Sequence, residues 1–291
     1  MFFMELCNPS VIRMLLGEEA TSLKKAYGQN FLIRREIPAR IAEECSDDKS
    51  EMILEIGPGI GCLTKELAER YAKVAAVEID RTLIPILAKT LSEYENVTVT
   101  NSDVMKLDLS AFIERESEGR AVSVCANLPY YITTPILMRL LESGIPFRSI
   151  TVMVQAEVAN RLCAKAGSKD YGAITAVLAY YGTTEKLFRV KAGCFMPAPK
   201  VDSTVIRTRL YKQKPYHPKD EALMFRTIKA AFEQRRKTLP NALASGFGEL
   251  DKQTLTDVIV SCGHSADIRG ERLAIDDFVA LSDAIYEKIH G

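Results

Sequence analysis

Apolar residues in the first two-thirds of the chain fall into short runs separated by amphipathic stretches. The runs at 52–56, 73–79, 97–101, 121–126 and 149–154 are five to seven residues long, the length of strands in a buried sheet. Between them, 62–71, 82–93 and 134–143 carry apolar residues at helical spacing. This alternation predicts an α/β fold, a parallel doubly wound sheet with helices on both faces.

The flanking segments differ in texture. Residues 1–22 read as an extension with one short helix after Asn8-Pro9-Ser10, and a helix is expected over 36–45. Strand-like stretches at 184–190 and 203–210 enclose the proline-rich loop 195–203. Beyond Lys212, Pro215 and Pro218 punctuate a linker, and helical periodicity then covers 220–237, 251–262 and 276–289. The predicted organisation is an extension (1–22), an α/β domain (23–212) and a small all-α C-terminal domain (213–291).

Composition narrows the function classes. Hydrophobic residues make up 47% and charged residues 26%, as in a globular protein, and the net charge is zero. No global basic field draws a nucleic acid, so charge has to be read locally. Residues 207–240 hold ten Lys or Arg against three acidic residues. Within this stretch Arg207, Arg209, Arg235, Arg236 and Lys237 are candidates for phosphate contact, although a solvated helix face accounts for the charge equally well. Seven cysteines without a CxxC pair, and three histidines, give no expectation of a metal site and suggest reduced thiols in the cytoplasm. No signal peptide or membrane span is expected, and nothing calls for an obligate dimer, so a monomer is expected.

Candidate chemistry sits at the predicted strand ends. The first strand runs through Glu55 into Gly57-Pro58-Gly59-Ile60-Gly61, a loop whose glycines let a ligand approach the backbone closely. The second ends at Glu78, suited to accept from both hydroxyls of a ribose, and the third reaches Asp103, which can accept from an adenine amine. Each carboxylate alone could equally be a helix cap. A dinucleotide-binding dehydrogenase shares this layout, but its GxGxxG fingerprint needs glycine where Cys62 stands.

The fourth strand runs into Asn127-Leu128-Pro129-Tyr130. An adenine exocyclic nitrogen is a poor nucleophile because its lone pair is delocalised into the ring. The Asn127 side-chain oxygen and the backbone carbonyl of Leu128 or Pro129 could hold both amine hydrogens and favour a pyramidal nitrogen. Tyr130 offers a face for stacking, with Phe195 a candidate for the opposite face; core packing is the alternative for both rings. Glycine loop and quartet together point to methyl transfer from S-adenosylmethionine to a base amine.

The segments KKAYGQNFL, LEIGPGIGCLT, VEID, NSD, NLPYYITTPI and CFMPAPKVDSTV occur in order between residues 24 and 205. On these the chain resembles the KsgA-type (RsmA) ribosomal RNA small-subunit adenine dimethyltransferases. The resemblance implies a Rossmann-like class I S-adenosylmethionine-dependent methyltransferase sheet. It also implies dimethylation of two adjacent adenosines in a hairpin loop near the 3′ end of 16S rRNA, within the assembling small subunit. It places Asn30, Leu32, Gly57, Glu78, Asp103 and Asn127 on the cofactor with Gly59 in the same loop. Gln29, Tyr130 and Phe195 fall near the target base, with Gln29 also counted among the cofactor-binding residues. Departures are Tyr131 and Thr133.

Rivals are the resistance methyltransferases of large-subunit RNA, which lack so sizeable a C-terminal domain, and DNA adenine methyltransferases, which would show a DPPY-like quartet. A non-catalytic assembly factor would show decay of the glycine loop, Glu78 or the quartet, and none is decayed.

Overall fold

The computed structural model describes residues 4–17, 29–129 and 132–291. The chain divides into two units, Met1–Ala159 with Glu185–Leu210, and Asn160–Thr184 with Tyr211–Gly291. The sequence suggested one boundary at residue 212. Residues 160–184 instead join the C-terminal helices, for a packing reason given below.

In the first unit β2 (Met52–Ile56), β3 (Lys73–Glu78), β4 (Val97–Asn101), β5 (Val122–Asn127) and β6 (Ser149–Gln155) run parallel. The sheet order is β4-β3-β2-β5-β6-β9-β7, with β7 (Gly182–Val190) and β9 (Ser203–Leu210) at one edge. β9 is antiparallel to β6, pairing Val154 with Thr204 and Ile150 with Thr208, so the sheet is mixed where a wholly parallel one was expected. Every residue of β2 is buried, and burial on both faces is why the central strands read as continuous apolar runs. β4, with its alternating Val and Thr, is an edge strand and largely open.

From β2 the chain winds outward to β3 and β4, then crosses back to β5 on the other side of β2. The reversal opens a crevice at the carboxyl ends of β2 and β5, where doubly wound sheets receive ligands. A separate two-stranded sheet pairs β1 (Phe31–Leu32) with β8 (Phe195–Met196), Leu32 opposite Phe195.

The N-terminal helix α1 (Pro9–Leu16) starts on an Asn8 cap, whose side chain accepts from Ser10 N, with proline in its first turn. Its apolar face buries Ile12 and Leu16 against Ile60, Leu83, Leu87 and Leu91. Ile60 belongs to the glycine loop, so the extension that carried no site motif packs behind the crevice. Helix α2 (Glu36–Cys45) lies against α3 (Cys62–Ala68), β5 and β6, and shares a core with Ile53, Leu67, Val74 and Cys125. The first unit also holds α4 (Ile84–Thr90), α5 (Leu109–Ser117) and α6 (Thr133–Glu142), while α7 (Ala156–Leu162) crosses the division between units.

In the second unit α8 (Ala173–Tyr181) packs on α9 (Glu221–Glu233) and α12 (Ile275–His290). That packing joins residues 160–184 to the C-terminal helices. α10 (Leu239–Gly246) lies between α9 and α11 (Lys252–Ser261), close enough that a Cβ on Gly246 would come 2.5 Å from Ala230 Cβ. The expected helix 220–237 ends at Glu233, because Gln234 leaves the helical region. No helix among the described residues is long and apolar enough to cross a membrane.

Ile12→Ala leaves a cavity behind the glycine loop and is expected to lower stability by about 2–4 kcal/mol. Urea unfolding followed by circular dichroism measures it. A change within experimental error would show that α1 is not part of this core.

Candidate active site

Two chain segments build the crevice floor. β2 delivers Glu55 and Ile56 into the glycine loop, where Gly57 (φ 73°) and Gly59 (φ 63°) adopt the left-handed backbone that side chains disfavour. β3 delivers Glu78, which is 3% exposed. Its Oε2 accepts from Gly59 N at 3.1 Å and its Oε1 from Asp80 N at 2.8 Å. Burial pushes this carboxyl above the usual carboxylate range, while the Asp80 and Gly59 N–H groups pull it back. Glu78 thus clasps the loop, and each oxygen retains a lone pair for a ligand hydroxyl.

Asp103, at the turn after β4, lines the same cavity and accepts from Met105 N through Oδ1 at 2.9 Å. Capping and lining coexist there. Gln29 Nε2 donates to Asp80 Oδ2 at 3.3 Å, whereas Gln29 Oε1 is buried without a hydrogen-bond partner among the described residues. Gln29, Asn30, Leu32, Gly57, Gly59, Glu78, Asp103, Asn127, Leu128 and Pro129 all line this one cavity. Phe31, Glu55 and Ile79 line it too and were not singled out as ligand contacts. The signal for Glu55 was its place before the glycine loop.

At the far wall Asn127 ends β5. Its Nδ2 donates to the Asn30 carbonyl at 3.4 Å, which leaves Oδ1 as the side-chain acceptor for an incoming amine. Pro129 O already accepts from Ile132 N and from Thr133 Oγ1, both at 3.2 Å. Of the two backbone carbonyls considered as the second acceptor, Leu128 is the one the geometry leaves. Tyr130 lies outside the described residues.

Two expectations change. Phe195 does not line the cavity: it is 3% exposed and packed with Leu32, Ile41, Val190 and Val205, because β8 pairs with β1 and turns the ring into the core. Arg207 is 7% exposed, donating to the Glu44 carbonyl at 2.7 Å and pairing with Glu185 at 3.1 Å, since β9 lies inside the sheet. Arg235 Nη2 donates to the carbonyls of Lys169 and Tyr171, both at 3.0 Å, fastening that loop to the turn after α9. Arg209 is half-exposed and paired with Glu185. Arg236 and Lys237 are exposed, and neither side chain makes an ion pair among the described residues. No cluster of three or more His, Cys, Asp or Glu able to hold a metal occurs among the described residues.

A Rossmann-like sheet whose switch-point crevice combines a glycine loop, a ribose-compatible carboxylate and an Asn-Leu-Pro turn defines a methyltransferase fold and site. Comparison with known proteins carries this to a family. Residues 20–272 match the family model described as ribosomal RNA adenine dimethylase, and the chain belongs to that family. It is 46% identical to the ribosomal RNA small subunit methyltransferase A of Lachnoclostridium phytofermentans over 286 residues, covering 98% of this chain and 99% of that protein. Among solved structures it resembles a dimethyladenosine transferase from Plasmodium falciparum (TM-score 0.71, 23% identity, 86% of this chain and 95% of that one). It also resembles the 23S rRNA methyltransferase ErmE (TM-score 0.67, 25% identity, 88% of this chain and 100% of that one).

Arg207→Ala removes the donor to the Glu44 carbonyl and leaves Glu185 with Arg209 alone. The expected loss of stability in urea unfolding is about 1–3 kcal/mol, with RNA affinity unchanged. An intact fold that binds RNA more weakly would return Arg207 to the RNA surface.

Proposed function

We propose that the protein transfers methyl groups from S-adenosylmethionine to the N6 amines of adenines in small-subunit ribosomal RNA, giving N6,N6-dimethyladenosine. The observation that carries the reading is the charge of the cavity. Glu55, Glu78 and Asp103 line it and, among the described residues, no Lys, Arg or His does. A dinucleotide would bring its pyrophosphate against three carboxyl groups, whereas a sulfonium donor carries net positive charge into them. This separates the reading from a dehydrogenase on the same fold, which fold alone cannot do.

The cofactor supplies an electrophilic methyl group on a positively charged sulfur. The remaining work falls to the chain. Glu78 receives the ribose hydroxyls on the lone pairs its backbone bonds leave, and Asp103 receives the adenine amine. Asn127 Oδ1 and the Leu128 carbonyl accept the two hydrogens of the target amine and aim its lone pair at the methyl carbon. A donor held there would supply its methyl group to that nitrogen. Acceptors placed in this way accelerate transfer only as far as their bonds strengthen in the transition state. After the first methylation one N–H remains, so one acceptor gives up its partner and the pocket must admit a methyl there.

The substrate in this reading is the pair of adjacent adenosines in a hairpin loop near the 3′ end of 16S rRNA, presented by the assembling small subunit in the cytoplasm. Loop bases are already unpaired, which lowers the cost of bringing one into a pocket. In this reading the enzyme acts as a monomer, and phosphate contact falls to Arg236 and Lys237. The full-length similarity to small-subunit enzymes supports this substrate over large-subunit RNA.

The test incubates purified protein and labelled S-adenosylmethionine with unmethylated small subunits or with large subunits, followed by nucleoside mass spectrometry. Dimethyladenosine confined to small-subunit RNA is expected. Label in the large subunit alone would overturn the substrate assignment. Asn127→Ala is expected to reduce turnover by about a hundredfold or more while the protein stays folded; near-normal turnover would mean that another group orients the amine. Reversing Arg236 and Lys237 to Glu is expected to weaken subunit binding in a salt-dependent manner and leave cofactor affinity unchanged. Equal subunit binding across a salt series would remove both residues from the RNA surface.

A further inference from the structure

The turn that carries Asp103 follows β4, an edge strand with a single neighbour in the sheet. Inside the turn, Asp103 Oδ1 accepts from Met105 N at 2.9 Å. The Asp103 carbonyl accepts from Lys106 N at 2.9 Å and from Leu107 N at 3.0 Å. These bonds fix the shape of the turn but not where it stands. On the strand side, Ser102 N donates to the Glu78 carbonyl at 3.0 Å. On the opposite side the polar tie is one side chain from α6. Arg139 Nε donates to the Val104 carbonyl at 2.9 Å, and Nη2 to the Leu107 carbonyl at 2.5 Å. Neither carbonyl has another donor among the described residues. Arg139 is half-buried and does not itself line the cavity, whereas Val104 does.

The helix that supplies Arg139 is itself anchored at the other end of the site. Pro129 O accepts from Ile132 N and from Thr133 Oγ1, and Ile132 lines the cavity at the head of α6. Ile136, Leu137, Leu140 and Leu141 bury the apolar face of the helix. A packed helix fixed at the Asn-Leu-Pro turn therefore braces the Asp103 turn. We propose that Arg139 is a positioning residue for the donor's adenine, acting through Asp103. The proposal rests on the cofactor reading given above. A guanidinium suits the task because its planar fork meets two carbonyls at once, a geometry that the point-like ammonium of lysine matches less well. With the turn held in advance, the donor does not have to order it on binding. Without the fork two carbonyls lose their donor, the turn shifts, and Asp103 no longer meets the adenine amine squarely.

Arg139→Met keeps an aliphatic stem and removes both donors. Isothermal titration compares S-adenosylhomocysteine with its purine analogue, in which hydrogen replaces the adenine amine. Wild type is expected to bind the adenine form about tenfold more tightly, as for a hydrogen bond to a charged acceptor. In Arg139→Met the preference is expected to fall to about threefold or less, with the purine analogue bound as by wild type. Arg139→Lys, which returns a single point of donation, is expected to fall between the two. In an Asp103→Ala background, adding Arg139→Met is expected to change the preference no further. With small subunits as substrate, the KM for S-adenosylmethionine rises in Arg139→Met while kcat holds, because the glycine loop and Glu78 still place the sulfur end. A merely structural Arg139 would lower the melting temperature and weaken both ligands alike; an unchanged preference in Arg139→Met overturns the proposal. If that variant does not fold, Arg139→Lys decides, and a preference equal to wild type overturns the proposal there too. Wild-type protein that binds S-adenosylhomocysteine and its purine analogue equally would overturn the role of Asp103 and this proposal, but not the cofactor reading. No binding of S-adenosylhomocysteine by wild type would overturn the cofactor reading and the proposal with it.

Discussion

The carboxylate of Glu78 accepts the backbone N–H groups of Gly59 and Asp80, and the site is organised around that pair of bonds. They tie the end of β3 to the loop leaving β2, holding two adjacent strand ends in one geometry. The left-handed backbone at Gly57 and Gly59 has an intrinsic cost for any residue but glycine, and the Glu78 clasp fixes the loop in the shape those glycines permit. Ile60, in the same loop, is held from behind by α1. A single buried carboxylate therefore links the sheet, the loop and the N-terminal helix to the wall of the crevice.

Burial of that carboxylate and of Glu55 beside one cavity raises the cost of ionising either. The fold contributes position: the reversal at β2 brings Glu55, Glu78, Asp103 and Asn127, each at or near a strand end, around one space. The methyl donor would enter at the glycine loop and the target amine at Asn127. Alignment of the two, more than any strong base, is what the geometry offers to catalysis.

Much of this was legible in the sequence. The strands of the first unit stand out because both faces are covered, and the carboxylates and the Asn-Leu-Pro turn fall at their ends. Other features depend on tertiary partners that periodicity does not encode. Helix α8 reads AITAVLAYY and has almost no polar face, so its helical period is invisible, and with it the grouping of residues 160–184 with the C-terminal helices. Phe195 reads as an aromatic in a proline-rich loop, and only its pairing opposite Leu32 shows that the ring is packed inward. Arg207 and Arg235 count as positive charge in sequence, yet their guanidinium groups serve backbone carbonyls and nearby carboxylates. Charge in a sequence is a sum, whereas RNA contact needs charge that is exposed and unspent, as at Arg236 and Lys237.

The most direct test of the account is a crystal structure of the protein with S-adenosylmethionine or S-adenosylhomocysteine bound. The account predicts ribose hydroxyls within hydrogen-bond distance of both Glu78 oxygens, the adenine against Asp103, and the sulfur end of the ligand directed toward Asn127. A ligand bound elsewhere, or one whose ribose leaves Glu78 untouched while the glycine loop keeps its present shape, would contradict it.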